Sequence, residues 1–195
     1  MRSLGLIAAA LALTSCAASI CMEQSPPMIP GEYVPMGTFT GTQVIDVPGE
    51  EHGTIQFVDG WKEGREQIFY SGGTPKKEYT YRHGKPTGNC SSWYDNGKLE
   101  HEAIIDEFTQ TASYKWWARN GVLIYASSAL HGLDEGLKQA WDSDGRKRLE
   151  GHYHAGHIEG DWREWDSEGS LDLEKSGVYS KGIRIGPLPK SDRQR

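Results

Sequence analysis

The sequence predicts an all-β protein: an elongated, twisted antiparallel meander, or solenoid, of 24-residue β-hairpin repeats. Three observations carry that expectation. Glycines recur at 73, 97, 121, 145 and 169, every interval being 24 residues. An aromatic residue stands four positions before each: Phe69, Trp93, Trp117, Trp141 and Trp165. Apolar and charged residues alternate after each glycine with a period of two, the mark of a strand with one covered and one wet face. Self-similarity at a fixed period of this size signals a repeat architecture.

Within a unit each part has a physical reason. Asp95-Asn96-Gly97 and Ser143-Asp144-Gly145 suit hairpin tips whose glycine takes positive φ. After the tip, even offsets are apolar (Leu99, Ala103, Ile105; Leu149, Tyr153) and odd offsets charged (Lys98, Glu100, Glu102; Arg146, Arg148, Glu150). A second punctuation, G-x-x-x-G, begins at Gly60, Gly84, Gly132 and Gly156, and a last copy begins at Gly182. The third unit has Phe108-Thr109-Gln110-Thr111-Ala112 instead, and Ala126 where the others carry Glu78, Glu102, Glu150 and Glu174. A lone hairpin cannot bury its apolar face, so stacked hairpins must cover one another. The aromatic position from Trp93 to Trp165 is therefore expected to form a core ladder.

The remaining segments bracket this array. Residues 1–15 are one arginine and a short apolar run, a secretory signal rather than a membrane span. The run ends in Leu13-Thr14-Ser15-Cys16, a lipobox-like sequence that predicts lipid on Cys16. Residues 16–36, with Pro26, Pro27, Pro30 and Pro35, read as an extended tether. Residues 37–59, with Gly49 on the 24-residue grid, read as a degenerate first repeat, 60–186 as the array and 187–195 as a polar tail. The expected location is the cell envelope, on the outer membrane or in the periplasm where the cell has two membranes. Cys21 and Cys90 are the thiols left for a disulfide in an oxidising compartment.

Composition and motifs narrow the chemistry. A formal charge of −6 excludes a broad electrostatic surface for nucleic acid. His152, His154 and His157 are dense enough for a zinc or copper site, although solvated strand-end histidines explain them as well. Asp142-Ser143-Asp144-Gly145 echoes a calcium loop, but Ala140 stands where a further acidic ligand belongs. Gly72-Gly73-Thr74-Pro75-Lys76-Lys77 lacks the P-loop spacing, and no G-x-S-x-G elbow is present. No cofactor is expected. The break in the third unit is the place to look for a protein partner, with Trp116, Ile124 and Tyr125 as its apolar anchors; Trp116 and Ile124 sit at odd offsets, where other units face water.

The alternation of G-x-x-x-G with W-[YD]-x-x-G-x-[LK]-x-x-E, as in Trp93–Glu102 and Trp141–Glu150, resembles the MORN-variant repeat (membrane occupation and recognition nexus). In bacteria such repeats include the YwqK-type antitoxin group. The resemblance covers about Gly60 to Gly186, more weakly in the third unit, and implies a non-enzymatic binding surface. Together with the lipobox it implies a lipid-anchored module for a protein partner, such as an immunity factor facing a toxin or delivered effector. The alternatives are a metal-binding protein or enzyme using His152, His154 and His157, and a structural spacer of the envelope.

Overall fold

The computed structural model describes residues 37–47 and 51–190. Among the described residues fourteen strands form one antiparallel sheet. The first six are β1 Gly41–Val47, β2 Glu51–Val58, β3 Trp61–Tyr70, β4 Pro75–Arg82, β5 Lys85–Trp93 and β6 Leu99–Asp106. Next come β7 Thr111–Trp117, β8 Leu123–Leu130, the short β9 Leu133–Asp134 and β10 Gly136–Trp141. The array finishes with β11 Lys147–His154, β12 His157–Glu164, β13 Gly177–Ser180 and β14 Ile183–Gly186. Strands lie side by side in chain order, β9 and β10 sharing the edge of β8. The expected all-β meander of hairpins is the observed fold, and β1 and β2 form its first antiparallel pair.

Two kinds of turn alternate. At one end of the strands, two-residue turns place a non-glycine and a glycine both at positive φ: His83 at 47° and Gly84 at 76°, His131 at 53° and Gly132 at 78°. Asp59-Gly60, Ala155-Gly156 and Lys181-Gly182 repeat the pattern, the type I′ geometry that matches strand twist. At the other end, the tip glycines at 73, 97, 121, 145 and 169 all have positive φ.

In the copies that begin at Gly60, Gly84, Gly132 and Gly156, the second glycine of G-x-x-x-G marks a bulge. In β4–β5 Lys77 pairs with Ser92, but beyond a register shift Thr80 pairs with Thr87 and Arg82 with Lys85. Gly88 takes up the extra chain at φ 63°, and Gly64, Gly136 and Gly160 have positive φ in their own units. The third unit loses both features together. Its β6–β7 ladder runs unshifted from His101–Trp116 to Asp106–Thr111, with Ala112 where the bulge glycine stood. Residues 107–110 then make a four-residue turn, capped by Asp106 Oδ1 accepting from the backbone N–H groups of Phe108 and Thr109 at 2.9 and 3.2 Å. Removing the bulge and lengthening the turn cancel, so the 24-residue phase continues.

Side chains tie each tip to the next. The Tyr70 hydroxyl donates to the Trp93 carbonyl and the Tyr94 hydroxyl to the Trp117 carbonyl, both at 2.8 Å. Asn96 Nδ2 donates to the Arg119 carbonyl and Asn120 Nδ2 to the Ser143 carbonyl, at 3.0 and 2.7 Å. In the last two tips aspartate replaces that tyrosine and caps its own turn: Asp142 accepts from the backbone of Asp144 and Arg146, and Asp166 from that of Glu168 and Ser170. Ala118, between the two styles, does neither because it has no polar side-chain atom.

One face of the sheet carries the core. Tyr79, Tyr81, Cys90 and Ala103 are its buried cluster, with Ile105 and Tyr114 packed against them. Trp116 and Trp162 are also buried. The expected ladder from Trp93 to Trp165 is corrected here: Trp93, Trp117, Trp141 and Trp165 are only half-buried. For Trp93, Trp117 and Trp141 the ladder slips by one residue beside the tip, at Trp93–Leu99, Trp117–Leu123 and Trp141–Lys147, which takes the indole off the regular core row.

Candidate functional site

Cross-strand pairing assigns the two faces. Ser92 pairs with His101, and Cys90 with Ala103, so an odd offset before the tip glycine opposes an even offset after it. The core face therefore collects even positions after each tip and odd positions before it. Trp116, five before Gly121, belongs to that face. This corrects its expected exposure: it pairs with Tyr125, is 8% exposed, and packs against His101 with centroids 4.7 Å apart. Tyr125 is half-buried beside it, while Ile124 alternates to the opposite side. The three residues do not form one patch.

The core face is an aromatic row interleaved with amines. Lys77 Nζ lies 4.4 Å from the Tyr79 ring centroid, Lys62 Nζ 4.8 Å from that of Tyr81, and Lys138 Nζ 4.6 Å from that of Tyr153. Glu66, 3% exposed, sits between Lys62 and Lys77 and accepts a 3.0 Å hydrogen bond from Tyr81. Burial alone would raise the Glu66 pKa, but hydrogen bonds and charge from the two lysines outweigh it and hold the carboxyl below its ordinary range. Burial pushes Tyr79 up to about 12 and, helped by the neighbouring Glu66, raises Tyr81 further. Lys62, Lys77 and Lys138 each have a carboxylate and a ring partner, as buried charges require.

The opposite face is largely polar, with Val44 and Val58 exposed toward its first strands. One cross-sheet row runs Gln67, Glu78, Ser91, Glu102, Lys115, Ala126, Gln139, Glu150 and Arg163. Ala126 has Lys115 on one side and Gln139 on the other. Two residues along the strands from this row, Ile104 and Leu137 are 50% and 42% exposed. Ile104, at the end of the second unit, pairs with Ser113, and Ser113 with Ser128, so small side chains of the third unit lie beside aliphatic ones of its neighbours. At its turn Phe108 is 85% exposed, with the Arg82 guanidinium 5.8 Å from its ring centroid.

The histidine cluster is not assembled into a metal centre. His154 and His157 pair across their turn, His152 pairs with Glu159, and His154 Nδ1 lies 3.1 Å from Glu135 Oε1. Among the described residues no three histidine, cysteine, aspartate or glutamate side chains are placed to hold a metal ion. Cys16 and Cys21 lie outside the described residues; Cys90 is 1% exposed, and burial raises its thiol pKa.

With a bulge-and-turn unit and its repeat now defined, the family comparison falls on particular strands. Residues 62–83 and 86–104 match the MORN repeat variant. The first match covers nearly all of β3 with β4, the second β5 with most of β6, and it stops just short of the altered Asp106 turn. MORN repeats are in general non-catalytic modules that bind proteins or membranes. No curated protein matches the chain.

Sequence reasoning missed Glu66, Lys62, Lys77, Lys138 and His101 as core-face residues. The signal was available: the even-offset rule places Lys77 and His101, four after their tips, on the covered side.

Proposed function

We propose that this chain is a non-catalytic, lipid-anchored repeat module whose third MORN-like unit holds a protein partner on the outer face of the sheet. The observation that carries this reading is the small Ala126 at the row position where other units carry glutamate, with Ile104 and Leu137 half-exposed two residues along the strands from that row. Apolar side chains in a polar surround are the usual anchors of an interface. Lipid on Cys16 would hold the array at the cell envelope, and the partner class that suits such a location is a delivered effector or toxin, the chain acting as its immunity factor.

The test uses the full chain captured from its native membrane after crosslinking, beside an Ile104→Glu, Leu137→Glu variant. The expected result is one abundant partner with the wild type and at least about tenfold less with the variant, at an unchanged thermal midpoint. Equal capture by both removes the outer face flanked by Ile104 and Leu137 as the site, and the absence of any specific partner favours the spacer alternative. Labelled palmitate entering the wild type but not Cys16→Ser supports the anchor; equal labelling ends that part of the reading.

A further inference from the structure

We propose that the junction between the second and third units is a seam that opens in acid, with His101 as its trigger. The seam is visible at the turns. Elsewhere each two-residue turn is tied to its predecessor by a backbone bond: Gly60 N–H to the Phe39 carbonyl at 2.7 Å, Gly84 N–H to that of Lys62 at 2.8 Å, Gly156 N–H to that of Asp134 at 2.9 Å and Gly182 N–H to that of Ile158 at 2.9 Å. A glutamate adds a second tie, Glu63 accepting from His83 N–H, Glu135 from Ala155 N–H and Glu159 from Lys181 N–H. The corresponding glutamate position in the second unit is Thr87, and the Phe108 N–H turns inward to Asp106. Among the described residues the link across this gap is the exposed Arg82–Glu107 ion pair with the Arg82–Phe108 contact. Exposed pairs of this kind contribute little.

His101 spans the same junction on the core face. It is 4% exposed on β6, its Nδ1 lies 3.4 Å from the Tyr79 hydroxyl on β4, and its ring packs on Trp116 of β7. Its Nε2 has no hydrogen-bond partner. The polar and titratable groups facing it are Lys77 and Tyr79 from β4, Cys90 and Ser92 from β5, and Tyr114 from β7. The core-face carboxylate of Glu66 is already held by Lys62, Lys77 and Tyr81. Glu102 alternates to the other side of β6, and Glu100 Oε2 accepts a 3.5 Å hydrogen bond from Ser92. No carboxylate pairs with the His101 ring, and burial lowers its pKa to about 4.

The sign follows directly. Above the unfolded pKa of about 6.5 the ring is neutral whether the seam is closed or open. Between that value and about 4 the open form binds the proton and the closed form does not, so opening rises as pH falls. Over the whole window the opening constant gains up to about 300-fold, the ratio set by the two pKa values.

Hydrogen exchange of the full chain at pH 7 and pH 5, corrected for intrinsic rates, reads this out. Amides of β5 and β6 are expected to lose protection at pH 5 while those of β2–β3 and β11–β12 do not, and His101→Phe is expected to abolish the difference. Unchanged protection of β5 and β6 at pH 5, or the same acid response in His101→Phe, overturns the proposal. Should that variant not fold, the wild-type His101 ring resonances decide: titration in the closed state near pH 6.5 sinks the idea, and a closed-state pKa near 4 sustains it.

Discussion

Trp116 and Tyr125 meet edge to face across the β7–β8 ladder, with centroids 4.9 Å apart and planes at 74°. That contact joins the two halves of the third hairpin on the core face. Trp116→Ala removes a buried indole and is expected to cost about 3–5 kcal/mol. Thermal or urea unfolding checks this; a variant as stable as wild type would show that the indole contributes no packing. Trp116→Phe should recover part of the loss.

The Lys62–Glu66–Lys77 group makes a second prediction. Glu66→Leu leaves two largely covered amines without their shared carboxylate and should cost about 3 kcal/mol at neutral pH. In wild type the folded carboxyl has a lowered pKa. Its contribution is thus present above the ordinary value of 4.5 and is lost as pH falls through the folded value. Urea unfolding at pH 7 and pH 3 should show the gap between wild type and Glu66→Gln narrowing in acid.

Tyr94→Phe deletes one tip-to-tip hydrogen bond and leaves the ring in place. Its expected cost is about 1 kcal/mol, measured by equilibrium unfolding. Tyr70→Phe should match it, since the two hydroxyls make the same bond one repeat apart.

Gly151 and Gly72 should respond oppositely to alanine. A Cβ at Gly151 runs into the indole of Trp162, whereas one at Gly72 meets nothing within 4 Å. Gly151→Ala is expected to lose about 1–3 kcal/mol, and Gly72→Ala to stay within about 0.5 kcal/mol of wild type. Similar melting of the two variants would contradict the packing.

Much of the fold could be read before the structure because turn chemistry and alternation are local. Glycines at fixed spacing mark the tips, and even offsets after Gly97 and Gly145 do face the core. Trp116 was misplaced because parity was carried through the tip unchanged. Which residues oppose one another depends on how many residues the turn consumes, and only the pairing of Ser92 with His101 reveals that count. Lys62, Lys77 and Lys138 were hard to see as core residues because their stems lie over tyrosine rings while their amines remain paired, a behaviour the residue type conceals. The replacement of glutamate by Ala126 was legible; that Trp116 lies on the opposite face from it was not.

The cancelling changes at Phe108 and Ala112 also make the array divisible. Since the fault costs no phase, excising Lys98–Gly121 would join Gly97 to Val122 with the strand register intact. The shortened chain would bring β5 against β8, give Tyr94 the Trp141 carbonyl in place of that of Trp117, and have two-residue turns along that whole end of the sheet. The irregular unit is thus a removable cassette, and its chemistry can change without rewriting the units on either side.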